Sequence, residues 1–478
     1  MLAACVSLMA TWEAFCSTMA AGLLSGGPVS LVYGFILAFA GTIATALSLS
    51  EAASMIPSAG GQYHYVAELS PPSIARPLSW AAGWLTMFGW QSVAASAPFL
   101  AGTMIQGLIV LNNPTYIYKR WHGTLLYWAV LLLALVFNVL GIRILPHVEN
   151  ASMVLHVVLF FILLIAIVAL SPTKNSASFV FTDFENETGW TSNGVTWCIG
   201  MLSSSYVLVG YDAATHLSEE MSNPAVGVPR AMIGSLLLNG ILGFSFLLAV
   251  LFCMGDIASA IGTATGFPII QIFYTVTGSL GAASAMTTAV ILMASLATIP
   301  LVASAARTLW ALARDSAFPF SRWLSHVDEK RGIPTRAIWV TTLFLMLLGL
   351  LNIAATTAFN AILSLAVVGL YLSYLLPVVV ILWRRIKKPK SLRWGPFELG
   401  RWGIMLNIVS IIYTVFCCVF LGFPPYQPVT AQNFNYASVV LGGVLALSAA
   451  YWFIRGRKGY TGPAIEILGR TVSNISHV

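Results

Sequence analysis

Charge is what this sequence has least of: Asp, Glu, Lys and Arg make up 8% of its residues, where an average soluble chain carries roughly a quarter. Hydrophobic side chains make up 58%, more than a soluble core can absorb. The six cysteines (Cys5, Cys16, Cys198, Cys253, Cys417, Cys418) form no Cys-x-x-Cys pair and lie in apolar segments, so neither a disulfide framework nor a zinc site is indicated. A Gly-x-x-x-x-Gly-Lys-Ser/Thr loop is missing, which argues against direct ATP coupling within this chain. No Ser-His-Asp or metal-ligand set is assembled along the apolar stretches either. An enzyme is therefore disfavoured, and no cofactor is expected. The net charge of +7 would suit nucleic acid, but the basic residues are sorted by loop, so that partner is unnecessary. The first apolar stretch lacks the basic flank of a cleavable signal. It opens almost inside a helix, so either the leading tail is short or the sequence is truncated.

What is present is a series of long apolar runs, such as Leu125 to Leu140, Met153 to Leu170 and Leu236 to Met254. Each is the apolar centre of a stretch long enough to cross about 30 Å of hydrocarbon as a helix. Read between turn and charge clusters, the chain predicts twelve spans: 1–24, 29–56, 78–111, 124–142, 147–171, 194–218, 229–254, 280–313, 335–353, 358–383, 403–423 and 435–455. A short external helix is expected around Pro268 to Gly278. With the N-terminus inside, every lysine and arginine but Lys119, Arg120 and Lys174 falls on the cytoplasmic side, as the positive-inside rule requires. Both termini are expected in the cytoplasm. The loop between spans five and six carries Asn186-Glu187-Thr188, a glycosylation acceptor pattern on the opposite side.

Two carboxylates break the apolar pattern, in Trp12-Glu13-Ala14 and Tyr211-Asp212-Ala213. A charge near mid-bilayer costs on the order of 3 kcal/mol by insertion scales, so it is usually kept for a ligand, ion or proton. The two tripeptides stand in the first and sixth spans, five apart. Five is odd, so the second five-span unit would be inverted. Inverted repeats with broken first and sixth helices place substrate at the membrane midplane. Gly22, Gly26, Gly27 and Pro28 after the first span, and Ser203-Ser204-Ser205 with Gly210 in the sixth, are reasons to break, although small residues also permit close helix packing.

Three loop motifs carry a family resemblance. They are Pro57-Ser58-Ala59-Gly60-Gly61-Gln62-Tyr63-His64-Tyr65 after the second span, Glu219-Glu220-Met221-Ser222-Asn223-Pro224 with Val228-Pro229-Arg230-Ala231 after the sixth, and Ala306-Arg307 with Ala313-Arg314-Asp315 and Pro319 after the eighth. Together they resemble the amino acid-polyamine-organocation superfamily, most closely its fungal branch of amino acid, choline and GABA permeases. The resemblance implies an all-α integral membrane fold with a 5+5 inverted repeat, broken helices 1 and 6, and two further C-terminal helices. The units would be 1–171, 194–383 and 403–455, with a cytoplasmic tail over 456–478.

The implied site can be placed residue by residue. Trp12-Glu13-Ala14 stands where many relatives have Gly-Ser-Gly for a substrate carboxylate, and its bulk and charge favour a cationic amine instead. Trp90 and Tyr206 offer aromatic faces to such a group. Gln91, Val209 and Gly210 complete the expected substrate site. Asp212, just past the sixth-helix break, reads as a gating or proton-linked group, and His156 in the fifth span as a coupling residue near neutral pH. Glu219, Glu220 and Arg314, with Arg307, are candidates for a cytoplasmic gate. Each has a structural alternative: an interhelical hydrogen bond for Glu13, a helix cap for Asp212, a structural hydrogen bond for His156, and the topology rule alone for the arginines. The expected function is secondary active transport of amino acids or small amines, by proton symport, across the plasma membrane. The competing class is a nutrient sensor that keeps the transporter fold.

Overall fold

The computed structural model describes the backbone of residues 1–478 apart from 142, 355–357, 432, 464, 468–469 and 473–478, and side chains apart from those and 220, 354, 358–359, 465–467 and 470–472. Among the described residues, eleven helices are long and apolar enough to cross a bilayer: Leu2–Leu24, Gly27–Met55, Pro72–Asn112, Arg120–Leu140, Leu145–Leu170, Pro224–Cys253, Leu280–Arg314, Thr335–Ile353, Asn360–Lys387, Gly400–Phe420 and Ala437–Gly459. An interrupted crossing over 193–216 lies between the fifth and sixth of these, so they are numbered here as spans 1–5 and 7–12 around span 6. In hydrocarbon every backbone polar group must be satisfied inside the protein, which is why the chain is almost wholly helical. The exceptions are a two-stranded pair in the tail, Ile465–Ile467 with Arg470–Val472, and isolated bridges in loops.

Two starts fall earlier than the sequence predicts. Spans 3 and 7 begin at Pro72 and Pro224, each in the first helical turn, where the missing N–H costs nothing and the fixed φ is already helical. The later prolines, Pro77 and Pro229, at or next to the expected starts, lie inside the helices. The short helix expected near Pro268 is Pro268–Thr277. Burial sorts the bundle into centre and rim. The most apolar windows of spans 1, 3, 8 and 10 are 94%, 78%, 72% and 72% buried, against 22% and 17% for spans 5 and 12, so the former enclose the core and the latter face lipid.

Span 1 is broken at Ala10, whose left-handed backbone (φ 42°, ψ 49°) separates Leu2–Met9 from Thr11–Leu24. Alanine rarely adopts this conformation, and the polar groups it frees need partners. Asn239 of span 7 supplies them: its Oδ1 accepts from the Thr11 N–H at 3.2 Å and its Nδ2 donates to the Val6 carbonyl at 3.2 Å. Span 6 is helical over Asn193–Gly200 and Leu202–Tyr206, unwinds through Gly210 (φ 103°), and resumes over Ala213–His216. The Thr11 hydroxyl donates to the Val207 carbonyl at 2.7 Å, so the two breaks touch.

The serines read as helix looseners instead stitch span 6 to its neighbours. Ser203 donates to the Thr18 carbonyl and accepts from the Gly22 N–H, and Ser204 donates to the Leu31 carbonyl. At the C-terminal end of span 1, the loop after span 5 pairs with the turn before span 2 through Gly26 N–H to Glu185 O and Glu187 N–H to Leu24 O. Asn186 is half-buried there and donates its side-chain amide to the Trp190 carbonyl, so the amide that glycosylation would need is already engaged.

Replacing Asn239 with Leu strands the Thr11 N–H in a dry site, at about 1–3 kcal/mol for an unsatisfied buried group. The expected result is a lower thermal melting point in detergent and a weakened transport rate; an unchanged melting curve would show that the break holds without this bridge.

Candidate functional site

A small cavity lies where the two breaks meet. Span 1 contributes Leu8, Met9, Ala10, Glu13 and Ala14, span 3 contributes Val93, Ala97 and Leu100, span 6 contributes Tyr206 and Val209, and span 8 contributes Ala294, Ala297 and Leu301. Four alanines, Ala14, Ala97, Ala294 and Ala297, keep the walls back. Glu13 is the only charged residue in the lining. The Tyr206 hydroxyl hydrogen-bonds Ser96 of span 3, which fixes its ring against the cavity.

Glu13 is fully buried, and its two oxygens differ. Oε1 lies 2.7 Å from His156 Nδ1, whereas Oε2 has no hydrogen-bond partner among the described residues. His156 belongs to span 5, which faces lipid except along one stripe: Ser152, His156, Phe160, Leu163 and Ile167 are buried, at the 3.6-residue period of one helix face. His156 Nε2 and the Ser152 hydroxyl behind it also lack partners among the described residues. Glu13 does make an interhelical hydrogen bond, as in its structural alternative, but to His156 rather than to a serine or threonine.

Asp212 is placed quite differently. Its Oδ2 accepts from Gln62 Nε2 at 2.7 Å and Trp90 Nε1 at 3.1 Å, and its Oδ1 accepts from the Tyr374 hydroxyl at 2.7 Å. His216 Nε2 stands 3.5 Å from Oδ2. Asp212 precedes the helix Ala213–His216 without capping it through its side chain. Charge-assisted bonds from three elements make it a knot joining span 6 to the segment after span 2, to span 3 and to span 10.

A second knot lies beside it. Asp315 Oδ2 accepts from the Tyr63 hydroxyl at 2.7 Å and lies 3.2 Å from His64 Nε2. Arg314 Nε lies 3.7 Å from Asp315 Oδ1 and its NH1 is 3.2 Å from Glu219 Oε1. The three loop motifs picked out in the sequence therefore converge on one face, the face that carries most of the arginines. Beyond these knots a recess is lined by Ala59, His216, Glu219, Arg307 and the loop 331–334.

The expected site residues thus divide. Glu13, Ala14, Tyr206 and Val209 line the cavity, with His156 directly behind Glu13. Gly210 sits in the unwound segment packed against Leu8, and Trp12 turns away, its ring near His156, Phe160 and Phe246. Trp90 donates to Asp212, and Gln91 donates to Thr341 at 3.1 Å, which sets both apart from the cavity lining. Glu219 and Arg314 pair, Arg307 lines the recess, and the Glu220 side chain lies outside the described residues. Sequence reading missed Asn239, Tyr374 and the span 8 wall. Gln62, Tyr63, His64 and Asp315 stood within the quoted motifs but without assigned roles.

The family model "Amino acid permease" matches residues 2–445 of the chain. A putative amino acid/polyamine transporter of Macrophomina phaseolina is 35% identical over 433 residues, covering 90% of this chain and 95% of its own. A choline transporter of Saccharomyces cerevisiae is 33% identical, covering 94% and 79%, and the amino-acid permease BAT1 of Arabidopsis thaliana is 30% identical, covering 97% and 92%.

Asp212→Asn swaps an acceptor oxygen for an N–H₂ facing groups that already donate, so the knot must loosen. A cysteine placed in the cavity as Val209→Cys is expected to react with a membrane-impermeant maleimide added from the basic face about tenfold faster when Asp212→Asn is also present, since losing one charged hydrogen bond is worth roughly 1.5–3 kcal/mol. Equal rates would mean that Asp212 does not hold that face shut.

Proposed function

This chain belongs to the amino acid permease family and is a multi-pass transmembrane transporter of amino acids or amines; from that premise we propose that it carries a small organic cation together with a proton, by alternating access around the broken spans 1 and 6. The observation that carries the reading is Glu13 in the lining of the cavity, with its Oε2 left without a hydrogen-bond partner among the described residues. An alkylammonium head suits such a chamber: its charge meets the carboxylate and its methyl or methylene groups meet alanine, leucine and the Tyr206 ring. The α-carboxylate of a neutral amino acid would face Glu13 as a like charge. A choline-like or amine substrate is accordingly favoured over GABA and neutral amino acids, in keeping with the name of the yeast relative.

Proton coupling follows from the division of Glu13's oxygens. A carboxylate accepts on both oxygens, so Oε1 can hold a protonated His156 while Oε2 holds the substrate cation. Spans 1–5 and 6–10 act as inverted repeats that rock about this point, with the knots at Asp212 and Asp315 as the gate on the basic face. The positive-inside rule puts that face and both termini in the cytoplasm, and the plasma membrane is the location proposed.

Two expected outcomes test the reading in proteoliposomes. In a competition panel of quaternary amines, primary amines and neutral amino acids, Glu13→Gln is expected to weaken the amines by at least about tenfold, because it removes the charge a desolvated cation needs; an intact amine preference would defeat the cation assignment. His156→Asn is expected to abolish accumulation driven by an acid-outside pH gradient while sparing exchange of labelled for unlabelled substrate. Gradient-driven uptake that survives in His156→Asn would remove this residue from the coupling step.

A further inference from the structure

Away from the transport path, the basic face carries a second, open recess. One wall is the loop after span 8, with Ser316, Phe320, Arg322 and Trp323; the other is the end of span 12, with Tyr451 and Arg455. Among the described residues, no carboxylate lines it. Arg322 and Arg455 are exposed, and neither has a hydrogen-bond or ion-pair partner among the described residues. Four other arginines of this face are engaged: Arg76 with the Tyr460 carbonyl, Arg336 with that of Trp323, Arg384 with that of Leu69, and Arg385 with Glu51, whereas Arg393 and Arg401, like Arg322 and Arg455, make no hydrogen bond or ion pair among the described residues. Two unspent guanidiniums facing one recess call for an anion.

The backbone around the recess is irregular on both sides. Ser316 and Phe320 hold left-handed conformations, φ 61° and 58°, which side chains other than glycine disfavour. Span 12 widens into a π-helical turn over Trp452–Gly456, a distortion frequent at functional sites. The strained Phe320 presents its ring outward, 82% exposed and the most exposed large apolar side chain described, while Phe453 and Ile454, beside Arg455, are 68% and 76% exposed. Apolar rings held out next to unpaired cations belong at a bilayer interface.

We propose that this recess seats the phosphate-bearing headgroup of an anionic phospholipid, with Arg322 and Arg455 on the phosphate and the acyl chains lying along Phe453 and Ile454. Basic pockets between helix ends recognise such headgroups by this chemistry. The bound lipid touches the loop that begins directly after Arg314 and Asp315, so its occupancy bears on the gate. The assignment does not depend on which substrate is transported.

The test uses the full chain in phosphatidylcholine nanodiscs with and without phosphatidylserine, and native mass spectrometry to count the phosphatidylserine retained. Arg322→Gln with Arg455→Gln is expected to lower retention about tenfold, from the loss of two phosphate contacts near the surface, while the matching pair of Arg→Lys changes keeps it. Neutralising Arg393 and Arg401 on the same face should leave retention unchanged. Thermal melting in phosphatidylcholine alone, equal for all variants, establishes that they are folded. Wild-type retention in the double Gln variant, or an equal loss on neutralising Arg393 and Arg401, would overturn the site. Displacement of the lipid by an equal concentration of soluble glycerophosphoserine would overturn the lipid as its occupant and leave a free phosphate ester in its place.

Discussion

A helix that stops inside a bilayer leaves polar backbone groups with no water to receive them, and the arrangement of this protein depends on how that is resolved. At the break in span 1 the solution is a single amide, Asn239, which bonds on both sides of Ala10. The Thr11 hydroxyl then reaches the unwound stretch of span 6. These contacts bring the two interruptions together, and the cavity is the space they cannot fill. Unfilled space at this point is not a packing fault, because the backbone that surrounds it cannot be helical and apolar at once.

The two intramembrane acids look alike in sequence and are used in opposite ways. Asp212 directs both oxygens to protein donors and so fixes elements in place. Glu13 directs one oxygen to His156, and its other oxygen has no hydrogen-bond partner among the described residues. A carboxylate whose acceptor capacity is fully used can hold a state of the protein. One with capacity to spare can respond to what arrives.

Much of this was legible in the sequence because the relevant signals are local. Long apolar runs, an isolated carboxylate and loop motifs can each be seen in a window of a few residues, and they located the spans, Glu13, Asp212 and the segments that meet on the basic face. Trp90 and Gln91 were harder. On a helix buried all round, such as span 3, periodicity gives no clue to which neighbour a polar group meets, and both proved to face other helices. Asn239 and Tyr374 are single polar positions within long apolar spans, and their partners lie 228 and 162 residues away. His156 was easier because it is the one histidine well inside the apolar fifth span.

The cavity walls owe their shape largely to alanine: Ala14, Ala97, Ala294 and Ala297 come from three different spans. Selectivity in such a chamber is subtractive, set by carbon atoms that are missing. A methyl-bearing headgroup occupies volume that longer side chains would claim, and each wall can be moved inward by one carbon without disturbing the acid at the break. Substrate size and substrate charge are therefore separately adjustable, the first by the alanines and the second by Glu13, and a lineage can change what it carries while keeping the machinery that moves it.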